Sequence, residues 1–159
     1  MHMTRNDIPE KKRHQITNIL NQHLASAIDL SFQAKQAHWN VKAENFTELH
    51  EVFDTIYETI SASVDEIGER ISQLGGQAEG TIQVATKKTY LKPLNLGLNK
   101  GPDLVSALAD AVAVYGKCLR KSIEEMGPLK DAVSGDMLTQ IARSVDKQLW
   151  ILESHLKAN

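Results

Sequence analysis

Proline occurs at only four places in this 159-residue chain, positions 9, 93, 102 and 128, and that distribution limits the fold more than any other feature. A proline inside a helix removes a backbone donor and clashes with the preceding turn, so long proline-free stretches are where long helices can run. From Pro9 to about His38, the apolar residues Ile16, Ile19, Leu20, Leu24, Ile28 and Leu30 mostly recur at three- and four-residue steps, a helical period. Asn45 followed by Glu48 predicts a capped start for a second helix, which runs to Leu74 and stops at Gly75-Gly76. Both helices are near thirty residues, far above the globular mean of about a dozen.

Residues 75–101 differ, with five glycines and Pro93, and read as a long crossover with room for one short helix. A third helix is expected from Asp103 to about Glu125, broken by Gly127-Pro128, and a fourth from about Asp136 to Leu156. Two helical hairpins with a long connection between helices two and three define an all-α, ferritin-like four-helix bundle. The chain is expected to form one such domain over 1–159, with 1–7 as a short extension. A hydrophobic fraction of 42% is enough for its core. The formal charge of −2 argues against a protein built mainly to neutralise phosphate backbones. The single cysteine, Cys118, excludes a disulfide within the chain and is expected as a small apolar residue of the third helix. With no apolar run of about 18 residues and no secretory h-region at the start, a soluble cytoplasmic protein is expected, with no membrane partner.

No phosphate-binding loop, dinucleotide glycine motif, nucleophile elbow or His-Glu-x-x-His helix is present. Nor does any histidine follow a glutamate by three residues, so the usual di-iron pattern inside a bundle is absent. The second helix offers an alternative. Setting His50 at zero and advancing about 100° per residue, Asp54 falls near 40°, Asp65 near 60° and Glu69 near 100°. The apolar residues Phe46, Leu49, Phe53, Ile56, Ile60, Val64, Ile67, Ile71 and Leu74 fall between about 240° and 320°. One stripe is therefore a core face, and the other carries an imidazole and three carboxylates. Such a polar face can simply keep a helix solvated.

The spacing adds a constraint. His50 and Asp54 lie about 15 residues, or roughly 22 Å, from Asp65 and Glu69, too far to share an ion within one chain. Yet His50 and Glu69 are centred on the same midpoint of the helix as Asp54 and Asp65. Two copies crossing antiparallel about a two-fold axis would bring His50 and Asp54 of one to Asp65 and Glu69 of the other, twice per dimer. Ser61, Ala62 and Gly68 would permit close approach there. One imidazole with three carboxylates suits Fe²⁺, Mn²⁺ or Zn²⁺.

Ala37-His38-Trp39-Asn40-Val41 and Leu49-His50-Glu51-Val52-Phe53-Asp54 resemble the first signature of the Dps family, small ferritin-like proteins that protect bacterial DNA during starvation. Val64-Asp65-Glu66-Ile67-Gly68-Glu69-Arg70, ending in Leu74-Gly75-Gly76, resembles the second, and the likeness extends to Thr4-Arg5-Asn6-Asp7 and Asp146-Lys147-Gln148-Leu149-Trp150. Ala43 departs from the glycine usual in the turn between the first two helices, which questions the local geometry of that turn.

The resemblance implies a homo-oligomeric shell of twelve subunits with an iron-oxidising site at each two-fold interface. His38, His50 and Asp54 would come from one subunit, and Asp65 and Glu69 from its mate. It also implies oxidation of Fe²⁺, with hydrogen peroxide preferred to dioxygen, and storage of the ferric product inside. Trp39 is either a redox-active neighbour or bundle packing, and Lys35 and Arg70 either orient ligand carboxylates or form surface ion pairs. Asp131 and Asp136 are expected as loop acids where the family forms acidic pores. His14, His23 and His155 are expected at the surface. A shell that packs DNA is the alternative function, and a zinc-binding relative a further one. Arg5, Lys11, Lys12 and Arg13 near the start and Lys157 near the end make no polybasic tail, so DNA binding is expected to be weak at neutral pH.

Overall fold

The computed structural model describes residues 1–156, which form five helices: α1 (Glu10–Asn40), α2 (Phe46–Gln73), α3 (Ile82–Lys88), α4 (Gly101–Leu129) and α5 (Ala132–Ser154). The short connections after α1 and α4 make α1/α2 and α4/α5 two antiparallel hairpins, and α1 on α4 and α2 on α5 join them into a bundle. The crossover holds only α3, so Thr81–Thr86, which alternates weakly like a strand, is helical from Ile82 onward. Ile16, Leu20, Leu30, Phe53, Ile56, Ile67 and Leu108 are among the fully buried residues of the core. On α2 the apolar stripe is buried except for Phe46, which is exposed, and Val64, which is half-buried.

The end of α2 follows from Gly75. Its φ of 81° is the left-handed conformation that glycine adopts without a Cβ penalty. The Gly75 N–H then bonds Ser72 O at 2.9 Å and the Gly76 N–H bonds Ile71 O at 2.9 Å, satisfying two terminal carbonyls. Arg13, buried on α1, donates to Leu74 O at 2.8 Å and to Ile8 O at 2.9 Å, and the His2 N–H bonds Gly75 O at 2.8 Å. The start of the chain is thereby fastened over the α2 terminus. At the other end of α2, Asn45 is the N-cap residue, but its side chain makes no cap hydrogen bond to the backbone. It donates to Glu48 Oε2 at 3.2 Å instead, so the capping box is replaced by a side-chain pair.

The α4–α5 corner corrects three expectations. α4 does not break at Gly127-Pro128 but runs to Leu129, forgoing the one bond that a residue 128 N–H would make to Glu124 O. The stop comes at Lys130, a non-glycine residue with φ 63°, and the bonds Lys130 N–H to Gly127 O and Asp131 N–H to Met126 O repeat the pattern seen at Gly75. α5 then begins four residues earlier than expected, capped by Asp131, whose carboxylate accepts from Ser134 N–H at 3.0 Å. Asp131 is therefore not a free loop acid. It is buried, hydrogen-bonded by the Ser134 hydroxyl and ion-paired with Arg70 Nη2 at 2.8 Å. Burial alone would raise its pKa, but Ser134 and Arg70 overcome that and hold it below the usual value. Arg70 also bonds Ser134 Oγ at 2.8 Å, so it ties the end of α2 to this corner rather than orienting a carboxylate of its own helix. Asp136 remains exposed on α5.

Ala43 raises no strain, since among the described residues the only non-glycine residue with positive φ is Lys130. Its turn is pinned to the end of the crossover by Lys42 N–H to Asn99 O at 2.7 Å and Gly101 N–H to Lys42 O at 3.2 Å. The absence of a side chain is needed at Gly101 instead, where a Cβ would fall 2.7 Å from Leu49 Cδ1 and 3.0 Å from Ala43 Cβ.

Candidate metal centre

The end of α1 and the first turns of α2 lie side by side, and their two histidines lock each other in place. The His38 and His50 rings stack with centroids 3.6 Å apart and planes 22° from parallel. His38 Nδ1 bonds His50 O at 2.8 Å, and His50 Nδ1 bonds His38 O at 2.9 Å. A carbonyl only accepts, so in each neutral ring Nδ1 carries the proton and Nε2 keeps a lone pair free for a ligand. Reciprocal bonding of this kind fixes tautomer and ring orientation before any cation arrives. Phe46 stacks on the other side of His50 at 5.0 Å.

Asp54 lies one turn beyond His50 on α2. Lys35, one turn before His38 on α1, forms an ion pair with Asp54 and sits 4.5 Å above the Tyr57 ring. The Lys35 hydrogen bond is the main reason Asp54 titrates below its ordinary value, with smaller help from Lys35, His38 and His50 as nearby cations. Lys35 therefore orients a carboxylate, one of the two roles its spacing allowed. Trp39 beside His38 is 63% exposed and does not pack the bundle of its own chain. Phe32 and Phe46 are also exposed nearby, which gives the His38–His50–Asp54 group an aromatic border.

Asp65 and Glu69 lie exposed further along α2, one turn apart, on the wall of an open groove shared with Val64, Gly68 and Ala78. They do not meet the histidine group, as the distance along the helix requires. Among the described residues no three His, Cys, Asp or Glu side chains of one chain converge where they could hold an ion. The five expected site residues thus divide into two partial groups, His38 of α1 with His50 and Asp54 of α2, and Asp65 with Glu69 further along α2.

The remaining histidines behave differently from one another. His14 is exposed, and His155 is half-buried with Nδ1 3.7 Å from Glu48. His23 corrects the expectation of a surface residue: it is 2% exposed and bonds Tyr90 Oη and Ser122 Oγ, each at 2.9 Å. Burial lowers its pKa from 6.5 to about 4. A sequence signal existed, because Ile16, Leu20, His23, Ala27, Leu30 and Ala34 recur at helical steps along one buried face. Cys118 is half-buried, as its apolar role predicts.

This architecture is that of the ferritin-like proteins, and the ferritin-like domain profile matches residues 17–158. The chain is 37% identical over 156 residues to a DNA protection during starvation protein of Agrobacterium fabrum, covering 98% of this chain and 96% of that one. The fold superimposes on the Dps protein of Mycobacterium smegmatis with a TM-score of 0.93 at 29% identity, covering 99% of this chain and 95% of that one. For Dps from Staphylococcus aureus the TM-score is 0.86 at 31% identity, with 92% and 97% covered. The chain belongs to the Dps proteins of the ferritin-like family.

Proposed function

We propose that this protein oxidises and stores iron through a centre assembled between two copies of the chain, with His38, His50 and Asp54 from one and Asp65 and Glu69 from the other. The observation that carries the reading is the His38–His50 pair, which presents two free Nε2 atoms beside an ionised carboxylate and lacks further ligands within its own chain. The matching carboxylates stand on the same face of α2 at positions that a two-fold axis exchanges. The aromatic border of Phe32, Trp39 and Phe46 supplies apolar surface for the second copy to cover. Twelve such chains in a closed shell, residues 1–159 acting as one domain, give the stored ferric product an enclosed space. The absence of any helix long and apolar enough to cross a membrane among the described residues is in keeping with a cytoplasmic shell.

The chemistry follows from the donors. Fe²⁺ is the substrate. Neutral imidazoles hold it without adding negative charge, and carboxylate oxygens favour the ferric product, which lowers the barrier to electron loss. Hydrogen peroxide, the oxidant in this reading, takes one electron from each of two ferrous ions and two protons, and leaves as water. Lys35 keeps Asp54 ionised until a cation displaces it. Replacing Lys35 with Met removes a competing positive charge, so Co²⁺ binding, followed by calorimetry, should tighten about tenfold. Unchanged or weaker binding would mean that Lys35 chiefly holds Asp54 in position. Stopped-flow oxidation of Fe²⁺ with peroxide and with dioxygen on the same preparation tests the main reading: peroxide should be the faster oxidant, with two ferrous ions consumed per peroxide. Tight Zn²⁺ binding without iron oxidation by either oxidant would favour a zinc protein.

DNA packing is the second reading, supported by the name of the Agrobacterium relative. The chain's start speaks against strong binding. Arg13 is buried against Leu74 O and Ile8 O, and Lys12 Nζ donates to Pro128 O at 3.1 Å, so these cations do not extend from the body as a tail. Lys157 lies outside the described residues. Affinity for duplex DNA rises steeply with the number of phosphates neutralised, so binding at pH 7.5 and about 150 mM salt should be weak. It should strengthen at lower pH, where the net charge of the chain turns positive, and at low salt through multivalency. Tight plasmid retardation in a gel shift at neutral pH would reveal a basic surface formed only in the shell.

A further inference from the structure

All four long helices contribute a polar side chain to the interior of the bundle, outside the two groups already described. These are His23 from α1, Ser63 from α2, Tyr115 from α4 and Gln148 from α5, all buried, with half-buried Thr59 beside Gln148. The packing puts them near one level. The His23 and Tyr115 rings lie 6.2 Å apart, and Gly116 on α4 faces Val145, one turn before Gln148 on α5. Gln148 Nε2 donates to Thr59 Oγ1 at 3.1 Å, and Thr59 and Ser63 are one turn apart on α2.

Two atoms in this layer make no hydrogen bond of acceptable geometry, Tyr115 Oη and Gln148 Oε1, although the Ser63 hydroxyl stands close enough to Tyr115 to offset part of the rise that burial gives its pKa. Rotating the Gln148 amide does not remove the second. Thr59 already donates its proton to Thr55 O at 2.8 Å, so it can only accept from Gln148, which requires Nε2 to face it and leaves Oε1 unpaired. Ser63 likewise donates to Ile60 O at 2.7 Å. An isolated buried polar atom is unfavourable, and most in native proteins are paired with protein or water.

The space for a partner is present. A cleft of about 160 Å³ opens between α2 and α5, lined by Thr59, Ser63, Glu66, Gln140 and Ser144 among others. Its wall shares Thr59 and Ser63 with the polar layer, and one water occupies only about 10–15 Å³ of such volume. We infer that ordered water reaches the bundle interior through this cleft and bridges Tyr115 Oη to Gln148 Oε1. The water accepts from the Tyr115 hydroxyl and donates to the Gln148 carbonyl oxygen, and its second proton is available to a hydroxyl lone pair of Thr59 or Ser63. The interior of a four-helix bundle is also a place where metals are held, but this buried layer has no carboxylate, and both nitrogens of its one imidazole are engaged. Its donor set suits water and not an iron ion.

A crystal structure of the assembled protein at a resolution that shows solvent tests the inference directly. Density is expected within hydrogen-bonding distance of both Tyr115 Oη and Gln148 Oε1, and it should be lost in Tyr115→Phe or Gln148→Met crystals. In solution, the ultraviolet resonance Raman difference between the native protein and Tyr115→Phe should show a hydrogen-bonded phenol. A signature of an unbonded hydroxyl, or crystals in which Tyr115 Oη bonds Ser63 or Gln148 directly with no water between them, would overturn it. So would an anomalous iron peak in this layer after an iron soak.

Discussion

Between pH 6.5 and pH 4 the folded chain should lose about 3 kcal/mol of stability per subunit through one side chain, His23. The folded-state pKa is depressed to about 4 by burial, while the unfolded chain titrates near 6.5. In that window the unfolded state binds more protons than the folded one, so stability rises with pH. The contribution is fully present above pH 6.5, is lost as the pH falls, and is gone by about pH 4. Protonation would also force both Tyr90 and Ser122 to accept from the ring, whereas the neutral ring donates to one and accepts from the other. The rings packed on His23 are Tyr90 and Tyr115, whose pKa values burial raises further, so neither supplies a compensating charge. The lowered pKa values of Asp54 and Asp131 act below 3.8 and leave this window clear. Denaturant unfolding at fixed protein concentration, compared at pH 7 and pH 4.5, should show the loss in the native protein and a much smaller one in His23→Gln. Equal losses in both would show that His23 is not the group responsible.

That His23 had to be found in the structure says where the sequence is readable and where it is not. The polar face of α2 is legible because every member lies on one helix, and a rigid period turns spacing into angle. The separation of the candidate residues of α2 into two groups follows from the same arithmetic. What local pattern cannot supply is the partner across the fold. Arg70 stands beside Glu69 in sequence but reaches Asp131 and Ser134 more than sixty residues away. His23 is joined to Tyr90 and Ser122, which reach it only after the crossover and α4 have packed.

The helix ends make the same distinction. Gly75 announces its positive φ by its identity, so the stop of α2 can be read directly. Lys130 performs the same function with a residue that gives no such signal, and the glycine and proline just before it point to the wrong place. The His38–His50 lock is hidden for a different reason. Each ring is held by the other residue's backbone carbonyl, and a carbonyl belongs to every residue alike. The histidines can be nominated from the sequence, but the tautomer that leaves each Nε2 free depends on how two helices lie together.

If the centre is shared, loss of activity should be repairable by mixing two inactive proteins. His50→Ala removes a ligand from one half and Asp65→Ala from the other, and each alone should lower peroxide-dependent iron oxidation by at least about tenfold. A dimer of two His50→Ala chains has both sites damaged, and so does a dimer of two Asp65→Ala chains. A mixed dimer has one site with both defects and one with neither, because the intact His50 belongs to one chain and the intact Asp65 to the other. Random pairing of equal amounts makes half the dimers mixed, so about a quarter of all sites should be restored. The assay is stopped-flow iron oxidation after the two variants have been dissociated together and reassembled, with each variant treated alone as the reference. Recovery near a quarter of native activity supports two chains per centre in opposite orientation. Mixed shells no more active than either variant would sink the shared centre, since a centre built within one chain gains nothing from an altered neighbour.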